Sequence, residues 1–233
     1  MGVTKIVGDG ENWSPNLGLE KPKFALDSGF NSGARMAFIP LHWFPSPFFG
    51  WMLAFCFCGW AFLEFVNHLI GKGIRLGQTG QSRDRGSYWL LIVMVYACFC
   101  LAYAGRAFNW GVVVGASQYL GLGLMVAGIA LREWAVVALG RYFSVVVALE
   151  VDHQLVTAGP YRWLRHPAYT GGAIATLGFA LALGSWVSAA LITLILLLAF
   201  AYRIRLEEQL LLAAFGDVYR DYMARTWKLF PGW

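Results

Sequence analysis

The sequence predicts an all-α, polytopic membrane protein with about five transmembrane helices. Three observations carry that prediction. The 233 residues are 58% hydrophobic and only 13% charged, whereas a soluble domain carries about a quarter charged residues. The apolar residues fall into five runs of membrane-spanning or nearly membrane-spanning length. The basic residues gather beside alternate ends of those runs, as topology determinants do.

Residues 1–47 are polar, rich in Gly, Pro, Asn and Asp, and without helical period. The Met1 end lacks the basic-then-apolar layout of a signal peptide. A mostly irregular tail is expected, closing on an aromatic approach to the membrane at His42, Trp43, Phe44, Phe48 and Phe49. The next part, 48–138, reads as three transmembrane helices. The first run covers about Pro47 to Ile70 and holds Glu64 and His68 one turn apart. They are either an interfacial pair or a site inside the membrane; Lys72 and Arg75 following directly favour the interface. The second run covers about Ser87 to Phe108 and the third about Val112 to Ala138. Gly115, Gly121, Gly123 and Gly128 in the third allow close helix packing.

The remainder, 139–233, begins with a long polar interruption. Two shorter runs follow, Pro167 to Leu183 and Val187 to Tyr202, joined by Gly184-Ser185-Trp186 as a tight helical hairpin. Arg203 to Trp233 is expected to be an amphipathic helical tail. Alternation across five spans puts Lys72, Arg75, Arg83 and Arg85, then Arg141, Arg162 and Arg165, then Arg203, Arg205, Arg220, Arg225 and Lys228 on one face. By the positive-inside rule that face is cytoplasmic. Cys56/Cys58 and Cys98/Cys100 are each two residues apart, so each pair points to opposite helix sides. They read as free core thiols, and no metal site is expected. The net charge of +5 is dispersed, without a basic block or nucleic-acid motif, so the expected partners are lipids and not nucleic acid.

Features with chemical potential concentrate at the expected cytoplasmic face. Gly159-Pro160 is a turn into a short helical stretch. Pro167 holds His166 out of helical geometry and opens the fourth span, so His166 stands at a helix N-terminus, where amide donors favour an anion. Arg203 and Glu207 share a helix face one turn apart, in the weaker order for simple helix stabilisation. Gly216 reads as a C-cap, and Asp217 as a cap for a short helix bearing Tyr219 and Tyr222.

Taken in order, these are Leu-Gly-Arg-Tyr-Phe-Ser at 139–144, His-x-Leu-Val at 153–156, Arg-His-Pro-x-Tyr at 165–169 and Glu-Glu-x-x-Leu-x-x-x-Phe-Gly-x-x-Tyr-x-x-Tyr at 207–222. The set resembles the isoprenylcysteine carboxyl methyltransferase family and, more distantly, the phospholipid N-methyltransferases, over roughly residues 130–231. The resemblance implies an S-adenosyl-L-methionine-dependent methyltransferase whose cofactor lies at the cytoplasmic ends of the last two spans, folded over by the loop and the tail. It implies a cofactor-contacting set of His153, Gln154, Leu155, Val156, Tyr161, His166, Pro167, Ala168, Tyr169 and Glu207. Arg203 falls on the family's acceptor-side arginine, so Arg203 and Glu207 are the expected catalytic pair.

The implied partner is a lipophilic small molecule or lipidated acceptor reached from the bilayer; its methylated atom (oxygen, sulfur or nitrogen) stays open. The competing expectations are an NADPH-dependent membrane reductase of related layout and a non-catalytic subunit on the same scaffold.

Overall fold

The computed structural model describes residues 40–75, 87–143 and 154–232. Six helices follow in order: α1 (Pro47–Arg75), α2 (Ser87–Ala107), α3 (Ala116–Leu139), α4 (Pro167–Leu183), α5 (Trp186–Phe215) and α6 (Asp217–Arg225). α1, α3 and α5 are each long and apolar enough to cross a membrane, while Ile92–Ala107 and Pro167–Leu183 are shorter apolar helices. At 1.5 Å per residue the 17 residues of α4 reach about 25 Å, the lower limit for a span. Phe55 of α1, 80% exposed, and Leu194 and Leu198 of α5 point outward. Such a face has no place in water but suits lipid.

The fourth run begins and ends as the sequence predicts, because the punctuation is chemical. Pro167 supplies the fixed φ of a first helical residue. Gly184 ends α4 at φ 86, a left-handed conformation that Gly adopts without Cβ strain. Ser185 then caps α5, its hydroxyl accepting from the Ser188 amide. α5 runs unbroken past Tyr202 to Phe215, so the fifth span and the first part of the expected helical tail are one helix. Gly216 then caps it at φ 54. Asp217 is the first residue of α6, and its carboxylate takes the Arg220 guanidinium instead of capping the helix.

α3 and α4 make the tightest contact, at glycines on both sides. A Cβ at Gly121 or Gly128 would collide with α4 backbone at Ala182 and Ala175, and one at Gly171 or Gly178 would meet α3 at Arg132 and Met125. Gly123 instead opens to space, and Gly115 belongs to the turn before α3. α3 starts four residues later than the apolar run, because Val112 and Val113 pair with the α4–α5 turn through a bridge to Ser185 and a Val113 amide bond to Gly184 O of 3.0 Å.

That pairing places the α2–α3 loop and the hairpin turn at one end of the bundle. Trp43 joins them, its carbonyl accepting from buried Gln118 at 3.1 Å. Trp43 and Phe44 are therefore packed into the bundle and do not lie along its rim. The end of α3, the start of α4 and the end of α5 meet at the opposite end. All four cysteines are free and each pair points to different sides, but only Cys98 is a buried core thiol. Cys56 is half-buried, and Cys58 and Cys100 are exposed, because the outer faces of α1 and α2 are not covered by other helices.

Candidate active site

The chain returns on itself at this second end. After α6, residues 226–229 run beside residues 163–166. Trp227 N donates to Trp163 O (2.9 Å), Arg165 N to Trp227 O (2.8 Å) and His166 N to Lys228 O (3.2 Å). Tyr222 donates its hydroxyl to Tyr161 O at 2.8 Å, and Thr170 donates to Leu229 O at 2.8 Å. The tail and the loop before α4 thus form one hydrogen-bonded layer over the ends of α4 and α5.

One carboxylate secures that layer. Glu208 is bonded by Arg165 Nε at 3.0 Å, His166 Nε2 at 3.4 Å and Lys228 Nζ at 3.3 Å. Arg165 also donates to Met223 O (2.8 Å) and Thr226 O (2.7 Å). A buried carboxylate shared by three basic groups from two segments is a structural anchor, since removing it would strand buried charge. Sequence reasoning passed over Glu208 in favour of its neighbour. The available signal was Arg165, His166 and Lys228, three bases in segments expected to fold together over the end of the fifth span.

Glu207 sits differently. It is one-third exposed and accepts from the Tyr169 hydroxyl at 3.0 Å through Oε2. Arg203 Nε donates to the same Tyr169 hydroxyl at 2.6 Å. Arg203 and Glu207 are therefore linked through the phenol of α4. His166 Nδ1 stands 3.9 Å from Glu207 Oε2, so its ring lies between the two adjacent carboxylates, buried and stacked obliquely near Tyr169. The Tyr169 ring leans on Phe200 at 5.0 Å between centroids, which closes the apolar side.

Of the expected site residues, the structure gathers His166, Tyr169, Arg203 and Glu207, with Pro167 and Ala168 in the first turn of α4 beside them. Tyr161 is buried in the 3-10 turn Gly159–Arg162. Burial first, and then the negative charge of Glu207, pushes its phenol well above the ordinary range. Gln154, Leu155 and Val156 lie in irregular chain before that turn, Gln154 exposed and the other two half-buried. His153 lies outside the described residues. No cluster of metal-ligating side chains occurs among the described residues.

Two features fit a polar ligand. Tyr219 is 1% exposed and its hydroxyl has no hydrogen-bond partner among the described residues, a costly state for a buried phenol. Burial and the charges of Glu208 and Glu207 raise its pKa. In addition, Glu207 keeps Oε1 without a protein donor among the described residues, whereas Glu208 is fully engaged.

A further charge cluster lay unread in the sequence. Arg132 of α3 clasps Glu64 of α1 with Nε and Nη2, the second contact being 2.7 Å, and Nη1 donates to Ala168 O at 3.1 Å. Glu64 thus belongs to an interhelical ion pair near the end of its span. The signal was an arginine inside the third apolar run.

Comparison with known proteins converges on one family. Residues 121–213, from α3 to near the end of α5, match the isoprenylcysteine carboxyl methyltransferase family. The chain is 33% identical over 178 residues to the protein-S-isoprenylcysteine O-methyltransferase of Schizosaccharomyces pombe, covering 70% of this chain and 75% of the relative. It is 36% identical over 108 residues to the Mus musculus protein of the same name, covering 46% of this chain but only 38% of that longer one. The solved structure of a eukaryotic intramembrane Ras methyltransferase, isoprenylcysteine carboxyl methyltransferase, superposes with a TM-score of 0.57 at 22% identity, covering 80% of this chain and 74% of that one.

Proposed function

Since this chain belongs to the isoprenylcysteine carboxyl methyltransferase family and is a membrane methyltransferase, we propose that its charged end binds S-adenosyl-L-methionine and directs methyl transfer to the carboxylate of a lipidated acceptor. The acceptor class comes from the names of the relatives, which are protein-S-isoprenylcysteine O-methyltransferases. The observation that carries the reading is the Arg203–Tyr169–Glu207 relay beside His166, a cation and an anion held apart by one phenol at the opening of α4.

When bound, the cofactor supplies a methyl group activated on a sulfonium cation. Glu207 holds a cationic or hydroxyl part of it through the carboxylate oxygen left without a protein donor. Tyr219 gives its unpartnered hydroxyl to the same ligand. Tyr161, His166, Pro167, Ala168 and Tyr169 shape the pocket, and Gln154, Leu155 and Val156 border it, while His153 joins the set by the family resemblance alone. Arg203 orients the acceptor carboxylate, which is already ionised and needs no base. The low dielectric of the membrane end strengthens that pairing, and alignment of the acceptor with the methyl group supplies much of the rate. In this reading the part from residue 139 onward is the methyltransferase core, and the density of basic residues at this end supports a cytoplasmic orientation.

The test is methyl transfer by purified protein from a labelled donor to an S-prenylated N-acylcysteine, with release of base-labile methyl ester. Ester formation together with S-adenosylhomocysteine binding is the expected result. Binding of NADPH with no affinity for S-adenosylhomocysteine would overturn the reading. For orientation, cysteines at Val114 and Asp221 in sealed vesicles should label from opposite sides, Asp221→Cys from the cytoplasmic one.

A further inference from the structure

We propose that Glu64, a carboxylate of the first membrane helix, is a positioning residue for the transfer site, acting through Arg132 on the Ala168–Tyr169 segment. The proposal rests on the functional reading above and extends the site to a helix outside the region that matches the family, residues 121–213.

The chain of contacts is continuous. Trp60 Nε1 donates to Glu64 Oε1 at 3.0 Å, one turn earlier on the same helix, and so fixes the carboxylate rotamer. Glu64 occupies two nitrogens of the Arg132 fork. The third side of that fork reaches Ala168 O, and the next residue, Tyr169, carries the phenol that joins Arg203 to Glu207. A guanidinium is planar, so fixing two of its nitrogens fixes the direction of the third.

A plain helix tie is a poor account of this pair. One turn further along α1, Asn67 Nδ2 already bonds both oxygens of Glu133 on α3, at 3.1 and 3.2 Å. The two helices are thus linked by a second pair about one turn away. A charge pair near a membrane span is costly, and what distinguishes this one from the Asn67–Glu133 tie is its link to α4. A misplacement of about 1 Å at a reacting geometry costs on the order of a hundredfold in rate, which makes a fixed Ala168–Tyr169 segment worth that cost.

The experiment compares Glu64→Gln with the swapped pair Glu64→Arg/Arg132→Glu, in detergent, by calorimetric titration of S-adenosylhomocysteine, turnover on the prenylated cysteine and thermal midpoint. Glu64→Gln should lower kcat about tenfold and weaken S-adenosylhomocysteine binding about threefold. The swapped pair should restore the midpoint, because the ion pair remains, yet leave kcat and affinity low, because the guanidinium no longer sits on α3 beside Ala168. Wild-type kcat and affinity in either variant would overturn the proposal and leave a helix–helix tie. Should Glu64→Gln fail to fold, the swapped pair alone decides. If the wild-type chain binds no S-adenosylhomocysteine and transfers no methyl group, the functional reading fails instead.

Discussion

The two ends of the bundle solve the same problem with different chemistry. At the hairpin-turn end, neutral side chains satisfy backbone carbonyls. Gln118 donates to Trp43 O and Ala182 O, Ser185 to Trp110 O, and Ser188 to Leu101 O. Arg106 is the cation there, set over the Trp43 ring and bonded to Asn109 at the end of α2, where a positive charge suits the helix dipole. At the other end, Glu64, Arg132, Arg165, His166, Arg203, Glu207, Glu208 and Lys228 crowd together. Neutral groups suffice to close a polar gap in a membrane fold. The second end uses costly ionisable groups where amides and hydroxyls would hold the chain. That surplus of charge is what supports the proposal that this is the working end.

Substitutions should separate the two ends by kind of effect. The largest change is expected at Glu208→Ala, which strands Arg165, His166 and Lys228 and should cost about 3–5 kcal/mol. It would appear as a lower thermal midpoint and as early proteolysis of the tail after Gly216. Next, Arg203→Ala should lower turnover about a hundredfold, or about 2.7 kcal/mol, with S-adenosylhomocysteine affinity close to wild type because the acceptor loses its charge partner while Tyr169 keeps its bond to Glu207. Glu207→Gln should do the reverse, weakening cofactor binding by about 1.5–3 kcal/mol as a charge-assisted bond is lost. Equal loss of cofactor affinity in these two variants, with matching drops in midpoint, would reduce the relay to a structural feature. The smallest effect belongs to the neutral end. Gln118→Leu should lower stability by about 1–2 kcal/mol and leave cofactor affinity untouched. A change in affinity there would erase the distinction between the ends.

Much of this fold was legible because its boundaries are set by residues with few conformational choices. Pro47 and Pro167 open helices, and Gly184 and Gly216 close them. The start of α3 was not legible, because Val112 and Val113 are apolar yet committed to the hairpin turn, a tertiary pairing that hydropathy does not register. The extent of α5 was half legible: Gly216 marked its end, but nothing in the polar-sided stretch Arg203 to Phe215 showed that span and tail form one unbroken helix.

At the site, the ordered motifs named His166, Tyr169, Arg203 and Glu207, which the structure brings together. They could not show that a phenol stands between Arg203 and Glu207, nor that Glu208 is the buried anchor. Adjacent helix positions point about 100° apart, and which of two carboxylates turns inward depends on where the tail returns. The Glu64–Arg132 pair joins residues 68 apart in sequence, beyond the reach of any local pattern.

Hydrogen exchange of the whole chain in detergent, with and without S-adenosylhomocysteine, tests the central claim most directly, because it reads both ends at once. Protection should rise in residues 154–166 and 217–230, where loop and tail form one layer over the site, and stay unchanged in residues 108–118 at the neutral end. Protection at 108–118 alone, or none at either end under saturating ligand, would contradict the assignment of the charged end as the site of methyl transfer.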